Sequence, residues 1–150
     1  MHQPAAERTV QARRLKTQAQ FQALLASTPL ARTEHFVMHR LDLPSGSDEQ
    51  SARPAAPGRP FPAGGLWLGA MVPKRWARRA VTRNLIKRQI YSIGEQRLAS
   101  PADAAYLVRL RAAYDRQQFR SAASEPLRAA VSREVEQLFD RARNDRRVAA

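Results

Sequence analysis

The spacing of apolar residues predicts three helices and at least three strands along the chain. Thr17 and Gln20 have the spacing of a capping box, in which each side chain bonds the other residue's backbone. Phe21 then opens an apolar face at helical spacing, so the first helix is predicted over residues 17–27. Pro29 is expected to end it, because the residue before a proline is pushed out of the α region.

Three runs rich in β-branched, aromatic and other apolar residues predict strands at residues 35–41, 66–72 and 105–110. Between the last two, a second helix is predicted to run to about Ile93. Gly94 is expected to end it, since glycine is the residue preferred just past a helix terminus.

A third helix is predicted to begin at Ser124, a favourable N-cap, with Pro126 tolerated in the first turn. Its apolar stripe consists of Leu127, Val131, Val135 and Leu138. The order helix, strands, helix, strand, helix favours an α+β fold. We expect a small two-layer sandwich with helices packed on a sheet of about four strands.

The segment from residue 44 to residue 65 breaks this pattern. It holds five prolines and four glycines without periodic apolar positions, so it is predicted to be a flexible loop and, by default, a solvated tether. The weaker alternative is contact with an anionic partner through Arg53 and Arg59. We therefore expect one domain over residues 17–140 with a loop insertion, a basic flexible tail at residues 1–16 and a disordered basic tail at residues 141–150.

Charge narrows the class of partner. The chain of 150 residues has 26 Lys and Arg against 13 Asp and Glu, a formal net charge of +13, which favours a polyanionic partner. Nucleic acid comes first and an anionic membrane surface a distant second, since no apolar run approaches the roughly 18 residues of a spanning helix. The absence of cysteine excludes disulfides and thiolate zinc sites. Without an apolar signal-peptide core, a cytoplasmic protein is expected, and the histidines lack the spacing of a metal site.

The second predicted helix concentrates this charge. Between Glu49 and Glu95 the sequence has no acidic residue and nine Lys and Arg. Helical geometry places Arg83 with Lys87 and Asn84 with Arg88 in two neighbouring rows, while Ile86, Ile90 and Ile93 face the sheet. A basic stripe on a rigid helix suits contact with a phosphate backbone. The alternative is an ordinary solvated helix face.

The same helix carries a recognisable motif. The core Arg83-Asn84-x-x-Lys87-Arg88 follows Ala80-Val81 and a strand that ends before the basic pair Lys74-Arg75. This arrangement resembles the bacterial ribonuclease P protein family, and the resemblance extends over most of residues 13–140. The sequence departs from the usual pattern of the family at Leu85 and Tyr91, where arginine is frequent, and at His39 and Leu25, where an aromatic residue is frequent.

The resemblance implies a sandwich related to a domain of a small-subunit ribosomal protein, with a left-handed βαβ crossover. It implies that an RNA subunit performs the Mg²⁺-dependent hydrolysis that frees the mature 5′ end of tRNA. It also implies that the protein has no catalytic residue and no tightly bound metal of its own. By the same resemblance, the protein is expected to bind the RNA subunit and to hold the 5′ leader of precursor tRNA in a cleft between its first helix and the sheet.

Two groups of residues follow from this resemblance. The residues expected to bind the RNA subunit are Lys74, Arg75, Arg79, Arg83, Asn84, Lys87 and Arg88. The residues expected to bind the leader are Arg14, Phe21, Leu25, Val37, His39 and Arg111. Simple core packing is an equally weighted alternative for Phe21.

Two other functions compete with this one. An independent enzyme would need a nucleophile paired with a base or a cluster of metal ligands, and the sequence shows neither. A ribosomal or generic RNA-binding protein fits the composition equally well, and the motif spacing is what separates it from a ribonuclease P subunit.

Overall fold

The computed structural model describes residues 12–43, 60–61, 65–98, 103–115 and 124–149, with side chains of the last helix up to residue 143. In chain order the elements are β1 (Arg13–Arg14), α1 (Gln18–Ala26), β2 (Pro29–Arg32), β3 (Phe36–Asp42), β4 (Leu66–Met71), α2 (Ala80–Arg97), β5 (Ala104–Leu110) and α3 (Glu125–Ala149). None of the helices in these ranges is both long and apolar enough to cross a bilayer.

The strands form one mixed sheet in the order β1-β4-β5-β3-β2. The strands β4 and β5 are parallel neighbours joined through α2, which is the expected βαβ unit. The left-handed course of this crossover stays a prediction. Strand β3 pairs antiparallel with β5, and the short strands β1 and β2 lie at the two edges.

The main core lies between one face of the sheet and the helices α2 and α3. Alternate residues of β3, β4 and β5 point to this side, with Met38, Leu68 and Val108 fully buried among them. The predicted stripe of α3 and the predicted isoleucines of α2 meet them there, so these helix faces are confirmed.

The opposite face of the sheet is covered in part by α1. Leu24 of this helix packs with Leu15, Trp67 and Leu107 in a second apolar cluster. Gly69 of β4 allows this packing, because a Cβ atom there would collide with the side chain of Leu15. Helices therefore lie on both faces of the sheet.

Local signals in the sequence located two helix starts correctly. The capping box of α1 is present in both directions, from the Thr17 side chain and from the Gln20 side chain. The hydroxyl of Ser124 accepts from the backbone nitrogen of Leu127 at 3.2 Å, as an N-cap should. The helix α1 ends at Ala26, close to the predicted boundary.

The prediction that Gly94 ends the second helix was wrong. The helix α2 continues to Arg97, and Gly94 is buried inside it. A Cβ atom at this position would meet Leu68 of β4 and Phe139 of α3. Gly94 is therefore a point of close approach between α2 and its neighbours, not a C-terminal stop.

The folded part is larger than the sequence indicated. Arg13 and Arg14 form the edge strand β1 where a flexible tail was expected, and Pro29–Arg32 form the edge strand β2, which brings the sheet to five strands. Both strands are too short to show an alternation of apolar and polar residues. Residues 1–11 of the predicted tail lie outside the described residues.

The expected disordered tail after residue 140 is helical, since α3 continues to Ala149. The segment from residue 141 to residue 149 contains several Ala and Arg residues, which favour helix, and it has no Gly or Pro that would break the helix.

The end of the predicted loop insertion packs on the protein. Phe61 is 8% exposed and meets the Trp67 ring edge-on, with ring centroids 5.3 Å apart. The side-chain amide of Gln20 donates to the carbonyl of Pro60 at 3.0 Å. At these two residues the solvated tether is contradicted, while residues 44–59 and 62–64 lie outside the described residues.

Candidate RNA-binding site

The helix α2 presents the predicted basic stripe to solvent. Ile86, Ile90 and Ile93 are buried against the sheet and α3, so the residues between them must point outward. Asn84, Lys87 and Arg88 are exposed on that outer face. None of the carboxylates described here pairs with Lys87 or Arg88, so this stripe is uncompensated positive charge.

Arg14 joins this stripe from the neighbouring edge strand β1. Its guanidinium lies over the ring of Tyr91, 4.0 Å from the centroid, a distance typical of a cation–π contact. A groove of roughly 590 Å³ separates β1 from α2, and among the side chains that line it are Arg14, Asn84, Lys87, Arg88, Tyr91 and Glu95. The fold thus places Arg14 with the residues expected to bind the RNA subunit, rather than with those expected to bind the leader.

Tyr91 has a second contact that explains its fixed position. Strand β1 pairs with β4 only at Trp67 and Leu68. Farther along β4, the hydroxyl of Tyr91 accepts from the backbone nitrogen of Ala70 at 3.2 Å. The hydroxyl of Tyr91 therefore pairs with a backbone N–H of β4 beyond the end of β1, while the ring of Tyr91 packs under the guanidinium of Arg14.

Arg83, the first residue of the motif, is engaged within the protein. Its guanidinium donates to the carbonyls of Ala77 and Arg78, at 3.0 and 2.7 Å. These bonds hold the turn that leads into α2, where Arg79 is the N-cap and has an exposed side chain. Arg83 therefore shapes the start of the helix, and its remaining N–H groups are what it can offer to RNA.

The basic pair Lys74-Arg75 lies in the turn after β4. Both side chains are exposed, and Arg75 lies over the ring of Trp76 at 5.1 Å from the centroid. The turn is closed by the carbonyl of Pro73, which accepts from the backbone of Trp76 and of Ala77. This turn lies at the carboxyl end of β4, beside the end of the sheet that α1 leaves open.

The residues expected to line the leader cleft differ in exposure. Phe21 is partly buried against the second apolar cluster, which contains Leu24, and Leu25 is 39% exposed. The helix α1 therefore presents an apolar edge. Val37 and His39 are each only 3% exposed. Contrary to the expectation for cleft-lining residues, both positions offer almost no surface to a ligand. His39 lies against the carbonyl of Ser27 at the end of α1, and Val37 lies in the sheet between Arg109 and Arg32.

Burial also sets the chemistry of His39. Its Nδ1 lies 3.2 Å from the carbonyl of Ser27, at the end of α1. Burial, opposed by this hydrogen bond and assisted by the charges of Arg109 and Arg32, lowers the pKa of His39 below its ordinary value of 6.5. His39 is therefore neutral at physiological pH. A neutral ring whose Nδ1 faces a carbonyl carries its proton on Nδ1.

Arg111 is held at the turn between β2 and β3. Its guanidinium donates to the carbonyls of Thr33 and Glu34, at 3.0 and 2.8 Å. The side chain is exposed, and these bonds leave part of its donor fork directed to solvent.

The structure adds two arginines that sequence reasoning missed. Arg109 of β5 and Arg32 of β2 lie on the α1 side of the sheet, near Arg75 and Arg111. The alternation of side chains along β5 places Arg109 on the face opposite Val108 and Leu110, and this alternation is the one feature of the sequence that could have identified Arg109. Arg111 follows Arg109 by two residues, whereas the positions of Arg32 and Arg75 relative to Arg109 depend on which strands are neighbours in the sheet.

A comparison with known protein families adds an independent observation. A family model described as Ribonuclease P matches residues 10–143. The chain belongs to this family. Curated relatives named as ribonuclease P protein components match most of the chain. That of Burkholderia pseudomallei (strain 1106a) is 37% identical over 131 residues, which cover 87% of this chain and 82% of the relative. That of Paraburkholderia xenovorans (strain LB400) is 33% identical and covers 87% and 80%.

A solved ribonuclease P structure shares the fold. The Staphylococcus aureus RNase P protein superposes with a TM-score of 0.56 at 18% identity, over 86% of this chain and 94% of that chain. Membership in the ribonuclease P family makes this chain a protein component of a ribonucleoprotein with an RNA partner. Membership in this family separates the chain from the alternative of a ribosomal or generic RNA-binding protein.

Proposed function

We propose that this protein binds the catalytic RNA subunit of ribonuclease P through the stripe on α2. The observation that carries the proposal is the uncompensated charge there: Lys87 and Arg88 are exposed, and Arg14 is held beside them on Tyr91. Like charges fixed in one groove repel each other, and a phosphate backbone relieves that repulsion. Asn84 adds a polar group that can hydrogen-bond a phosphate or a ribose.

The same proposal assigns the 5′ leader of precursor tRNA to the α1 side of the sheet. There Phe21 and the exposed Leu25 form an apolar edge beside the arginines at the end of the sheet. Single-stranded RNA is held by this combination, with bases packed on apolar or aromatic side chains and phosphates on cations. Stacking on an aromatic ring is worth ~1–3 kcal/mol per base.

In this proposal the Mg²⁺ that hydrolysis requires is held by the RNA subunit. Magnesium binds through oxygen ligands, above all carboxylates and phosphates. The groove between β1 and α2 offers the carboxylate of Glu95 against three cationic side chains, Arg14, Lys87 and Arg88, so its donor set does not suit a divalent cation. The task of the protein is to neutralise phosphates and position the substrate, and we place this work in the cytoplasm.

Salt dependence tests the contact with the RNA subunit. Binding of Lys87→Ala and Arg88→Ala to the RNA subunit is measured across a series of salt concentrations, with Arg128→Ala on α3 as the control. Each stripe variant is expected to bind more weakly and to lose about one unit of log–log salt slope per phosphate contact. Unchanged slopes in both variants would remove α2 from the interface.

The leader contact has its own test. The reconstituted holoenzyme is compared on precursor tRNA with a full leader and on tRNA without one. A higher affinity for the substrate with the leader is expected. Equal affinity, with the RNA contact intact, would contradict leader binding and leave assembly with the RNA subunit in place.

A further inference from the structure

Arg109 occupies the centre of one row of side chains across the open end of the sheet. It pairs with Met71 of β4 on one side and with Val37 of β3 on the other. Val37 in turn pairs with Arg32 of β2. Because partners in register point to the same face, Arg109 and Arg32 lie on the α1 side of the sheet with only Val37 between them.

His39 lies in the adjacent row on the same face, diagonal to Arg109. It is paired with Leu107, two residues before Arg109 on β5. Diagonal neighbours of this kind are ~7–8 Å apart, within reach of a long side chain. His39 also contacts the carbonyl of Ser27 at the end of α1. The row that contains Arg109 is therefore the next one along the sheet from the end of α1.

The arginines in this place have no internal anion. Among the described residues no carboxylate lies within ion-pair distance of Arg32, Arg75 or Arg109. Burial, followed by the charges of Arg111, Arg75 and Arg32, lowers the pKa of the Arg109 guanidinium. Arginine remains charged even so, and the protein therefore carries a cluster of like charges that repel one another.

Two polar atoms next to this cluster lack partners. The Nε atom of Arg109 and the Nε2 atom of His39 are buried and have no hydrogen-bond partner within the part of the chain that is described. Buried polar groups in folded proteins are normally satisfied, and exceptions mark sites completed by something else. The unpaired Nε–H of Arg109 and the repelling charges point to the same missing group, an anion. Nε2 of the neutral His39 is an acceptor, so it adds nothing to the attraction for an anion.

We propose that Arg109, assisted by Arg32, binds one backbone phosphate of the single-stranded leader at the end of α1. The proposal rests on the assignment of the leader to this face and adds the residues that fix it there. The planar donor fork of a guanidinium matches two phosphate oxygens, and Arg109 is partly buried, so the contact is less screened by solvent than one on an open surface. His39 stays neutral and acts as the wall of the site, adding no further positive charge.

The test uses the holoenzyme reconstituted with its RNA subunit. Arg109→Met preserves the length and apolar character of the stem and removes the charge. Dissociation constants are measured for precursor tRNA with a full leader and for tRNA without one. We expect the variant to lose affinity about tenfold for the first substrate only. Arg128→Met, which removes an exposed arginine of α3, is the matched control and is expected to change neither value.

A second variant and a stability measurement guard against a merely structural effect. Arg32 is exposed on an edge strand, so Arg32→Met is expected to leave folding unchanged and still weaken binding of the leader several-fold. Urea unfolding of free Arg109→Met is expected at the same or a higher midpoint, because the substitution relieves repulsion. The proposal would be overturned if Arg109→Met unfolds at a lower urea midpoint and Arg32→Met binds the leader as tightly as the wild type does.

The outcomes separate this inference from the proposed function. If the wild-type holoenzyme prefers the substrate with a leader and both arginine variants keep that preference in full, the phosphate site is wrong and leader binding stands. If the wild type has no preference for a leader, the proposed leader function fails. A loss of equal size for both substrates would assign Arg109 to another RNA contact and also overturn the inference.

Discussion

The carboxylate of Glu134 accepts hydrogen bonds from both the backbone nitrogen and the imidazole of His35, at 2.6 and 2.7 Å. An ionised carboxylate only accepts, so Nδ1 of His35 carries the proton in this contact. The hydroxyls of Thr33 and Tyr114 donate to the same carboxylate, and the Tyr114 ring stacks on His35 with centroids 3.9 Å apart. One side chain of α3 thus fixes the turn between β2 and β3 and the segment after β5.

This network predicts a pH-dependent contribution to stability. Burial alone would raise the pKa of Glu134, but hydrogen bonds from Thr33, His35 and Tyr114 hold it below the ordinary value of 4.5. A depressed carboxyl pKa means that the stabilisation is complete above about pH 4.5 and is lost as pH falls through the folded pKa. Glu134→Gln is expected to lower the free energy of unfolding at pH 7 by about 1–3 kcal/mol.

Urea unfolding between pH 7 and pH 3.5 checks this. Glu136→Gln, on the same helix, serves as the control for loss of one carboxylate. The difference between wild type and Glu134→Gln should shrink as the pH drops below 4.5, whereas a difference that stays constant would show that the network does not depend on the charge of Glu134.

Tyr91 offers a way to separate its two contacts. Tyr91→Phe removes the hydrogen bond to Ala70 and retains the ring under Arg14, so it is expected to cost about 0.5–1.5 kcal/mol of stability with little effect on RNA binding. Tyr91→Ala removes both contacts and is expected to weaken binding of the RNA subunit as strongly as Arg14→Ala. Binding assays and urea unfolding of the three variants check this. If Tyr91→Ala binds RNA like wild type, Tyr91 does not position Arg14 for that contact.

Phe61 tests whether the end of the loop insertion is part of the fold. The ring is buried against Trp67, so Phe61→Ala is expected to lower the free energy of unfolding by about 3 kcal/mol. Tryptophan fluorescence should change with it, because Trp67 loses a neighbour. Leu25→Ala, an exposed apolar position on α1, is the control for loss of apolar area. An effect no larger than that of the control would mean that the insertion does not dock.

Gly94→Ala sets helix propensity against packing. Alanine in place of a helical glycine gains about 1 kcal/mol of intrinsic helix stability. Overpacking against Leu68 and Phe139 costs about 1–3 kcal/mol, so a net loss is expected. Thermal unfolding measures the balance, with the exposed position Ser92→Ala as the control for propensity alone. A gain in stability at Gly94 would show that α2 can move away from the sheet.

The sequence by itself determined the features that depend on neighbouring residues. A capping box closes over three residues, and the outward direction of Lys87 and Arg88 follows from helical geometry once Ile86 and Ile90 are assigned to the core. The family motif lies on the same helix, so the class of partner was also within reach of the sequence.

Only the tertiary structure decided which distant residues meet. Arg14 joins α2 because β1 pairs with β4, and Arg32 lies beside Arg109 because β2 and β5 both flank β3. The sequence pattern predicted a helix end at Gly94, whereas in the structure Gly94 lies inside α2, where it packs closely against Leu68 and Phe139. The order of strands in the sheet brings together residues far apart along the chain, and a local sequence pattern does not specify which strands become neighbours.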